Sequence, residues 1–209
     1  LQGTKARLLQ GYDDSVAAIF ETVEESDAEL AVWLAEARLV KDAWEIAQLQ
    51  EAVDATIRGF EDVARALPQA VATSERWAEG VFGLRARVEG NDVGYGSICA
   101  SGAHACTLHW TDNDGPVVDG ELILLDMGVE ARELYTADIT RTLPINGRWT
   151  PQQREVYELV YRSQEAALAE CKPGARFLAP HEAAMQVLAE GLEAMGIIDS
   201  AAEVLDEED

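Results

Sequence analysis

Two aspartates, Asp126 and Asp138, stand in a stretch whose other residues favour β-strands, and their spacing can bring two carboxylates together. The residues from 122 to 143 predict two strands joined by a tight turn at Ala131–Glu133. If that turn centres on Arg132, Asp126 and Asp138 lie directly opposite each other. Their side chains then share one face of the sheet, with Cβ atoms about 5 Å apart.

Two like charges in directly opposed positions destabilise a hairpin, so something must offset the repulsion. A shared proton, a neighbouring Arg or Lys, or a cation would each do so. Hard divalent metals prefer carboxylate oxygens, and two-metal sites hold their ions about 3.5–4 Å apart. An accidental pair on an exposed face is the remaining alternative, although Asp126 ends an apolar run. A slip of one residue in the strand register would separate the pair.

The three histidines of the chain differ in context. His109 follows Leu108 near the end of a predicted strand, and on spacing alone a single histidine there is more often structural than catalytic. His104 has no supporting context. His181 falls in the first turn of a predicted helix, where a surface role is expected.

The elements that would position these residues follow the order helices, strands, helices. This order predicts an α+β fold in which helices cover one face of an antiparallel sheet. Apolar residues at steps of three and four predict a long helix from about residue 46 to Pro68. The other predicted helices are Thr73–Leu84, Pro151 to about Cys171, and Pro180–Met195, and the predicted strands are Gly96–Ala100, Glu121–Val129 and Leu134–Leu143.

Composition excludes several classes of partner. The formal net charge is −23, much of it in acidic runs at 21–29 and 203–209, which argues against binding to nucleic acid or to an anionic membrane. No apolar run approaches the roughly 20 residues needed to span a bilayer, and residues 1–10 lack a signal-peptide pattern. Three cysteines are too few for a disulfide framework, and Cys99 and Cys106 are expected to be small core residues. We therefore expect a soluble, cytoplasmic protein.

A motif around the aspartates resembles the metal-binding signature of the Xaa-Pro aminopeptidases and prolidases, which belong to the pita-bread metallopeptidases. The motif reads Asp126-x-Gly128, Tyr135-x-x-Asp138-Ile-Thr-Arg-Thr142, then Pro144 and Gly147. The flanking segments Lys41–Leu49 and Tyr95–Trp110 also resemble the first helix and the substrate-side strand of that catalytic domain. The aspartate spacing is one residue longer than is usual in the family, which predicts a longer hairpin turn.

The resemblance implies a role for each matching residue. Asp126 would chelate one metal ion and Asp138 would bridge two, with Mn the expected metal and Co or Zn the alternatives. His109 would hydrogen-bond the substrate and steady the tetrahedral intermediate. Tyr95, Ile98 and Leu108 match positions near the pocket for the substrate's N-terminal residue. The implied reaction is attack by a metal-bridging hydroxide on the peptide bond before a proline in the second position.

The resemblance covers roughly residues 38–200 and also implies that the site is incomplete. Residues 1–37 would be a helical remnant or linker from an N-terminal domain, and 38–209 the first half of the catalytic domain. The remaining histidine and two glutamate ligands of the family find no counterpart here, so we expect this chain alone to be inactive. Xaa-Pro dipeptidase activity, a non-catalytic peptide- or protein-binding module and a metal-free hydrolase are the alternatives. A homo-oligomer or a complementing C-terminal half are the possible protein partners.

Overall fold

Four helices precede the sheet in the computed structural model, which describes residues 6–20 and 23–206. They are α1 (Asp14–Ala17), α2 (Glu24–Leu39), α3 (Ala43–Val71) and α4 (Glu75–Glu89). The long helix predicted from the apolar periodicity is confirmed as α3. Its first turn is closed by a capping box, in which Asp42 accepts from the Glu45 amide and Glu45 accepts from the Asp42 amide.

The predicted end of α3 at Pro68 is wrong, because the helix continues to Val71. Proline removes one hydrogen-bond donor and crowds the preceding turn. Pro68 lies in the last turn, so only one intrahelical hydrogen bond is lost and the next three residues stay helical. The following helix, α4, begins directly after Ser74 and ends five residues later than predicted, at Glu89.

The sheet is antiparallel, as predicted. Strands β2 (Ile98–Ser101), β3 (Leu122–Met127) and β5 (Ile139–Pro144) pair in the order β2-β3-β5. A separate two-stranded ladder joins β1 (Asp92–Val93) to β4 (Val129–Glu130). A short 3-10 turn, Gly102–Cys106, follows β2.

One face of the three-stranded sheet packs against helices α3 and α4. Alternate residues of β3 are fully buried, and they form a single hydrophobic core with helical side chains. The members of this core from β2 and β3 are Cys99, Ile123, Leu125 and Met127, and the helical members include Val63 and Phe82. Because side chains alternate along a strand, Asp126 projects from the opposite face, here called the site face.

The predicted strand register is wrong by two residues. Asp126 lies opposite Thr140, and Met127 lies opposite Ile139. The reason is the turn: Ala131 and Tyr135 are the last hydrogen-bonded pair, so the loop is Arg132–Leu134 and centres on Glu133. Leu134 adopts a left-handed conformation with φ 68°, as the last residue of a three-residue hairpin loop commonly does.

The second unit, Asn146–Asp209, is helical. It contains α5 (Pro151–Glu170), α6 (Ala179–Ala194) and α7 (Ala201–Asp206). Thr150 and Gln153 form a capping box at the start of α5, and the predicted ends of α5 and α6 are correct to within a residue. A side chain at Gly191 would come within 2.2 Å of Leu159, so the glycine permits close packing of α5 on α6.

The two acidic runs extend beyond the described residues, which omit 21–22 and 207–209. No helix in 6–20 or 23–206 is long and apolar enough to cross a membrane. The contact pattern divides the chain at Ile145. The boundary predicted near residue 37 concerns the domains of a longer protein and stays a prediction.

Candidate active site

The hydroxyl of Tyr95 joins the two aspartates. Tyr95 Oη lies 2.8 Å from Asp126 Oδ1 and 3.0 Å from Asp138 Oδ1. The two carboxylate oxygens are therefore no more than about 6 Å apart. Two cations at the spacing found in two-metal sites could contact both of them. The two-residue error in register did not move Asp138 to the other face, because a shift by two preserves the alternation of side chains.

Tyr95 is half-buried beside two carboxylates, and both facts disfavour its ionised form. Burial, followed by the hydrogen bonds to Asp126 and Asp138, raises the pKa of Tyr95 far above its ordinary value of 10.0. The phenol thus stays protonated near neutral pH. Since a phenol has a single proton, Tyr95 donates to one carboxylate at a time. The other carboxylate therefore remains able to bind a cation.

Gly128 makes this convergence possible. It lies between β3 and β4, and a Cβ at this position would come within 1.7 Å of the Ala137 carbonyl oxygen and 3.0 Å of the Tyr95 ring. Its own carbonyl accepts a hydrogen bond from the Gly94 amide at 2.8 Å. A residue with a side chain would therefore push apart the two segments that carry Tyr95 and Asp138.

The remaining predicted site residues occupy two places. Ile98 lies directly opposite Asp126 on the site face and is 7% exposed, so it adjoins the aspartate pair. Leu108 and His109 lie in the loop after β2, and Leu108 is 91% exposed. His109 is also exposed, has φ 54°, and makes no hydrogen bond to either aspartate within the part of the chain that the structure describes.

A buried carboxylate that the sequence analysis did not select anchors this loop. Glu75, the first residue of α4, is fully buried and contacts Ser101, His104, Trp110 and Gly115. Burial alone would raise the pKa of Glu75, but the hydrogen bonds led by that from the Ser101 amide outweigh it and hold the pKa below 4.5. His104, which had no supporting context in the sequence, is one of these partners.

The cysteines divide differently from the prediction. Cys99 is fully buried in the core, as expected, and burial raises its pKa well above 9.0. The prediction for Cys106 is wrong: it is exposed at the end of the 3-10 turn, because the chain leaves the sheet at Ser101.

The carboxylates of Asp126 and Asp138 suit hard divalent cations, which prefer oxygen ligands. Two carboxylates alone would give such a cation few of the ligands that it takes. Within residues 6–20 and 23–206, no group of three or more His, Cys, Asp or Glu side chains is placed to hold a metal ion.

The sequence of residues 47–203 matches the family model described as metallopeptidase family M24. This chain belongs to family M24. The match includes every predicted site residue, and it confirms the resemblance drawn from the motif around Asp126 and Asp138.

Similar proteins from this family are consistent with the assignment. The chain is 58% identical over 199 residues to Xaa-Pro aminopeptidase 2 of Streptomyces coelicolor, covering 95% of this chain and 42% of that protein. It thus spans less than half the length of this relative. Among solved structures, aminopeptidase PepP of Pseudomonas aeruginosa is 34% identical with a TM-score of 0.75, covering 82% of this chain and 39% of that one.

A zinc-substituted Escherichia coli aminopeptidase P, solved in complex with product, is 28% identical with a TM-score of 0.81. The similarity covers 97% of this chain and 49% of the E. coli chain. The predicted α+β, pita-bread fold is therefore confirmed for this M24 chain, which corresponds to about half of the aminopeptidase P structure.

Proposed function

We propose that this chain is part of a metal-dependent Xaa-Pro aminopeptidase, which releases the N-terminal residue from peptides with proline in the second position. The observation that carries the proposal is the pair Asp126 and Asp138, joined by Tyr95 on the site face of an M24 chain. The names of its relatives, Xaa-Pro aminopeptidases 1 and 2 of Streptomyces coelicolor, support the same activity.

Asp126 and Asp138 would hold two divalent cations, with Mn as the proposed metal and Co or Zn as alternatives. When bound, such cations would supply a water of lowered pKa as the nucleophile for peptide hydrolysis. A zinc-substituted relative supports a divalent ion but does not identify the native one.

The other residues of the chain would position the carboxylates and the substrate. The Tyr95 hydroxyl would orient both aspartates through its two short contacts. Ile98 offers an apolar wall beside Asp126, and the exposed Leu108 and His109 are free to contact a peptide from the loop after β2. His109 would donate a hydrogen bond to the developing oxyanion.

Two carboxylates give a cation few of the ligands that it needs. We therefore propose that the 209-residue chain by itself is inactive and that the remaining ligands come from a complementing C-terminal half. The proposed partner of the complete site is a peptide, and a homo-oligomer is a further possibility. A cytoplasmic location is part of the proposal, supported by three cysteines that are all unpaired.

The test compares the complete gene product that carries this chain with the 209-residue chain alone. Each is given Mn²⁺ and three substrates: an Xaa-Pro-Yaa tripeptide, its Xaa-Ala-Yaa counterpart and an Xaa-Pro dipeptide. We expect the complete product to cleave only the tripeptide with proline, and a chelator to abolish cleavage. Preference for the dipeptide would instead identify a prolidase, and cleavage by the 209-residue chain would disprove the need for further ligands.

Variants of the complete product connect the activity to the predicted ligands. Asp126→Asn and Asp138→Asn keep side-chain size but remove the charge, and each should lower cleavage by at least about a hundredfold. Asp119→Asn, at an exposed position before β3, is the matched control and should retain activity. Full activity in either ligand variant would contradict the proposed metal site.

A further inference from the structure

We infer that Glu75 is a positioning residue that fixes the loop carrying His109, here called the 102–115 loop. The inference rests on the proposed function for its catalytic consequence. The attachment of the loop to this buried carboxylate does not depend on the proposed function.

Each carboxylate oxygen of Glu75 has two hydrogen-bonding partners on or next to this loop. Oε1 accepts from the Ser101 amide at 2.7 Å and lies 3.0 Å from His104 Nδ1. Oε2 accepts from the Gly115 amide at 2.8 Å and from Trp110 Nε1 at 3.0 Å. The Glu75 amide in turn donates to the Gly115 carbonyl at 3.0 Å. One side chain thus ties together the start, the middle and the end of the loop.

The partners in the middle of the loop enclose the segment with His109. The rings of His104 and Trp110 stack with centroids 3.9 Å apart, and Trp110 directly follows His109. Residues 106–109 between them are exposed. Because both sides of this exposed segment are attached to the same carboxylate, the position of the His109 backbone depends on Glu75.

A second buried side chain fixes the loop to β2 without contacting Glu75. Asn113 is fully buried, accepts from the Cys99 amide at 2.8 Å and donates to the Ser97 carbonyl at 2.9 Å. This contact holds the end of the loop only. Residues 104–110 have Glu75 as their link to the helical layer, according to the hydrogen bonds among the described residues.

The four partners require a carboxylate in particular. The Ser101 and Gly115 amides and the Trp110 indole are donors, and His104 Nδ1 donates when it carries its proton. A carboxylate accepts at both oxygens, whereas the amide of glutamine would present its own N–H groups to two of these donors. There is no space for rearrangement, since even a Cβ on Gly115 would lie 2.4 Å from His104 and 3.0 Å from Glu75. Glu75→Gln therefore keeps the volume and breaks about half of the contacts.

The structural test uses the 209-residue chain. Backbone ¹⁵N relaxation is measured for the wild type, for Glu75→Gln and for Val63→Ala, a core variant in α3 whose side chain makes no hydrogen bond to the loop. We expect residues 104–110 to be more mobile in Glu75→Gln than in the wild type, and Val63→Ala to leave their mobility unchanged. Trp110→Phe, which removes a single hydrogen bond, gives a milder variant if Glu75→Gln does not fold. Unchanged relaxation of the loop in whichever of these two variants folds would overturn the inference.

The catalytic test uses Xaa-Pro cleavage by the complete gene product. Displacing a catalytic group by about 1 Å can lower the rate about a hundredfold. We therefore expect Glu75→Gln to lower kcat by about 10- to 100-fold with little change in KM. Val63→Ala should leave kcat unchanged. The decisive comparison is His109→Ala with and without Glu75→Gln: a residue acting through His109 has no further effect once His109 is gone. If Glu75→Gln instead lowers kcat by the same factor in the His109→Ala background as in the wild type, the positioning role is overturned.

The outcomes also separate this inference from the proposed function. A complete product without Xaa-Pro cleavage would refute the function, and the relaxation data would then decide the role of Glu75 in the loop. Normal cleavage by Glu75→Gln would refute the positioning role and leave the proposed function intact.

Discussion

Asp138 directly precedes β5 and lies diagonally across from Asp126, whose direct partner in β5 is Thr140. Diagonal positions in an antiparallel pair are roughly 7–8 Å apart at Cα, against roughly 5 Å for direct partners. The wider separation lessens the repulsion between the carboxylates and leaves a gap. The hydroxyl of Tyr95 lies in that gap, within 3.0 Å of both.

Removing the Tyr95 hydroxyl should destabilise the chain. Tyr95→Phe leaves two neighbouring carboxylates without their shared donor, and a hydrogen bond to a charged group contributes on the order of 1 kcal/mol or more. We expect a loss of about 1 kcal/mol in the free energy of unfolding, measured with urea. Added Mn²⁺ should restore part of this loss, because a cation also offsets the repulsion.

Two comparisons make the Tyr95 experiment specific. Tyr12→Phe, at a site that is 84% exposed, should change stability little. In a chain with both Asp126→Asn and Asp138→Asn, Tyr95→Phe should cost less, since neutral amides attract the phenol less strongly than carboxylates. An equal cost in both backgrounds would contradict the contacts.

The strand register can be tested with a single positive charge. Thr140→Lys places an ammonium directly opposite Asp126, and opposite charges in such pairs stabilise by about 0.2–1 kcal/mol. Thr142→Lys is the matched control, because Thr142 lies opposite Leu124. Urea unfolding should rank Thr140→Lys as the more stable variant. The reverse ranking would indicate another register.

Gly128 and Gly80 should respond to alanine in opposite ways. A Cβ at Gly128 would overlap the Ala137 carbonyl oxygen, so Gly128→Ala should lower the free energy of unfolding by on the order of 3 kcal/mol. Gly80 lies inside α4 with nothing within 4 Å of an added Cβ, and Gly80→Ala should raise stability by about 0.5–1 kcal/mol. Thermal unfolding of the two variants measures both shifts, and similar stabilities would contradict the close approach at Gly128.

The helices could be predicted closely because their signals are local. Thr150 and Gln153 form the capping box that begins α5, and Gly196, with φ 70°, follows the end of α6; both are short sequence patterns that mark helix ends. The site face could also be predicted, since strand alternation places Asp126 opposite to the buried Leu125. The aspartate pairing could not, because the loop closes with a left-handed Leu134, a residue type that gives no signal for that conformation.

Glu75 could not be found from the sequence for a different reason. A glutamate in the first turn of a helix is ordinary, because it complements the helix dipole while exposed to water. Its burial depends on contacts with residues 26 to 40 positions further along the chain. The same holds for Tyr95, which lies 31 and 43 positions from its two partners.

Thiol reactivity should distinguish the three cysteines. Cys99 is buried and its raised pKa disfavours the thiolate, which is the reactive form, while Cys106 and Cys171 are exposed. A colorimetric thiol reagent should modify two cysteines per native chain and three after unfolding. Cys99→Ala should leave the native count at two and lower the unfolded count to two, and modification of Cys99 in the native chain would contradict its burial.

The acid stability of the chain should depend in part on Glu75. The hydrogen bonds to its carboxylate hold the folded pKa below the ordinary value of 4.5, so folding favours the ionised form. The resulting stability is fully present above about pH 4.5 and is lost as the pH falls through the folded pKa. Urea unfolding of the wild type and Glu75→Gln from pH 7 downwards should therefore give a gap in stability that is constant near neutrality and narrows in acid. The difference between the two chains isolates Glu75 from the other acidic residues, whose titration is common to both. A gap that widens in acid would contradict the lowered pKa, because folding would then favour the protonated carboxyl group.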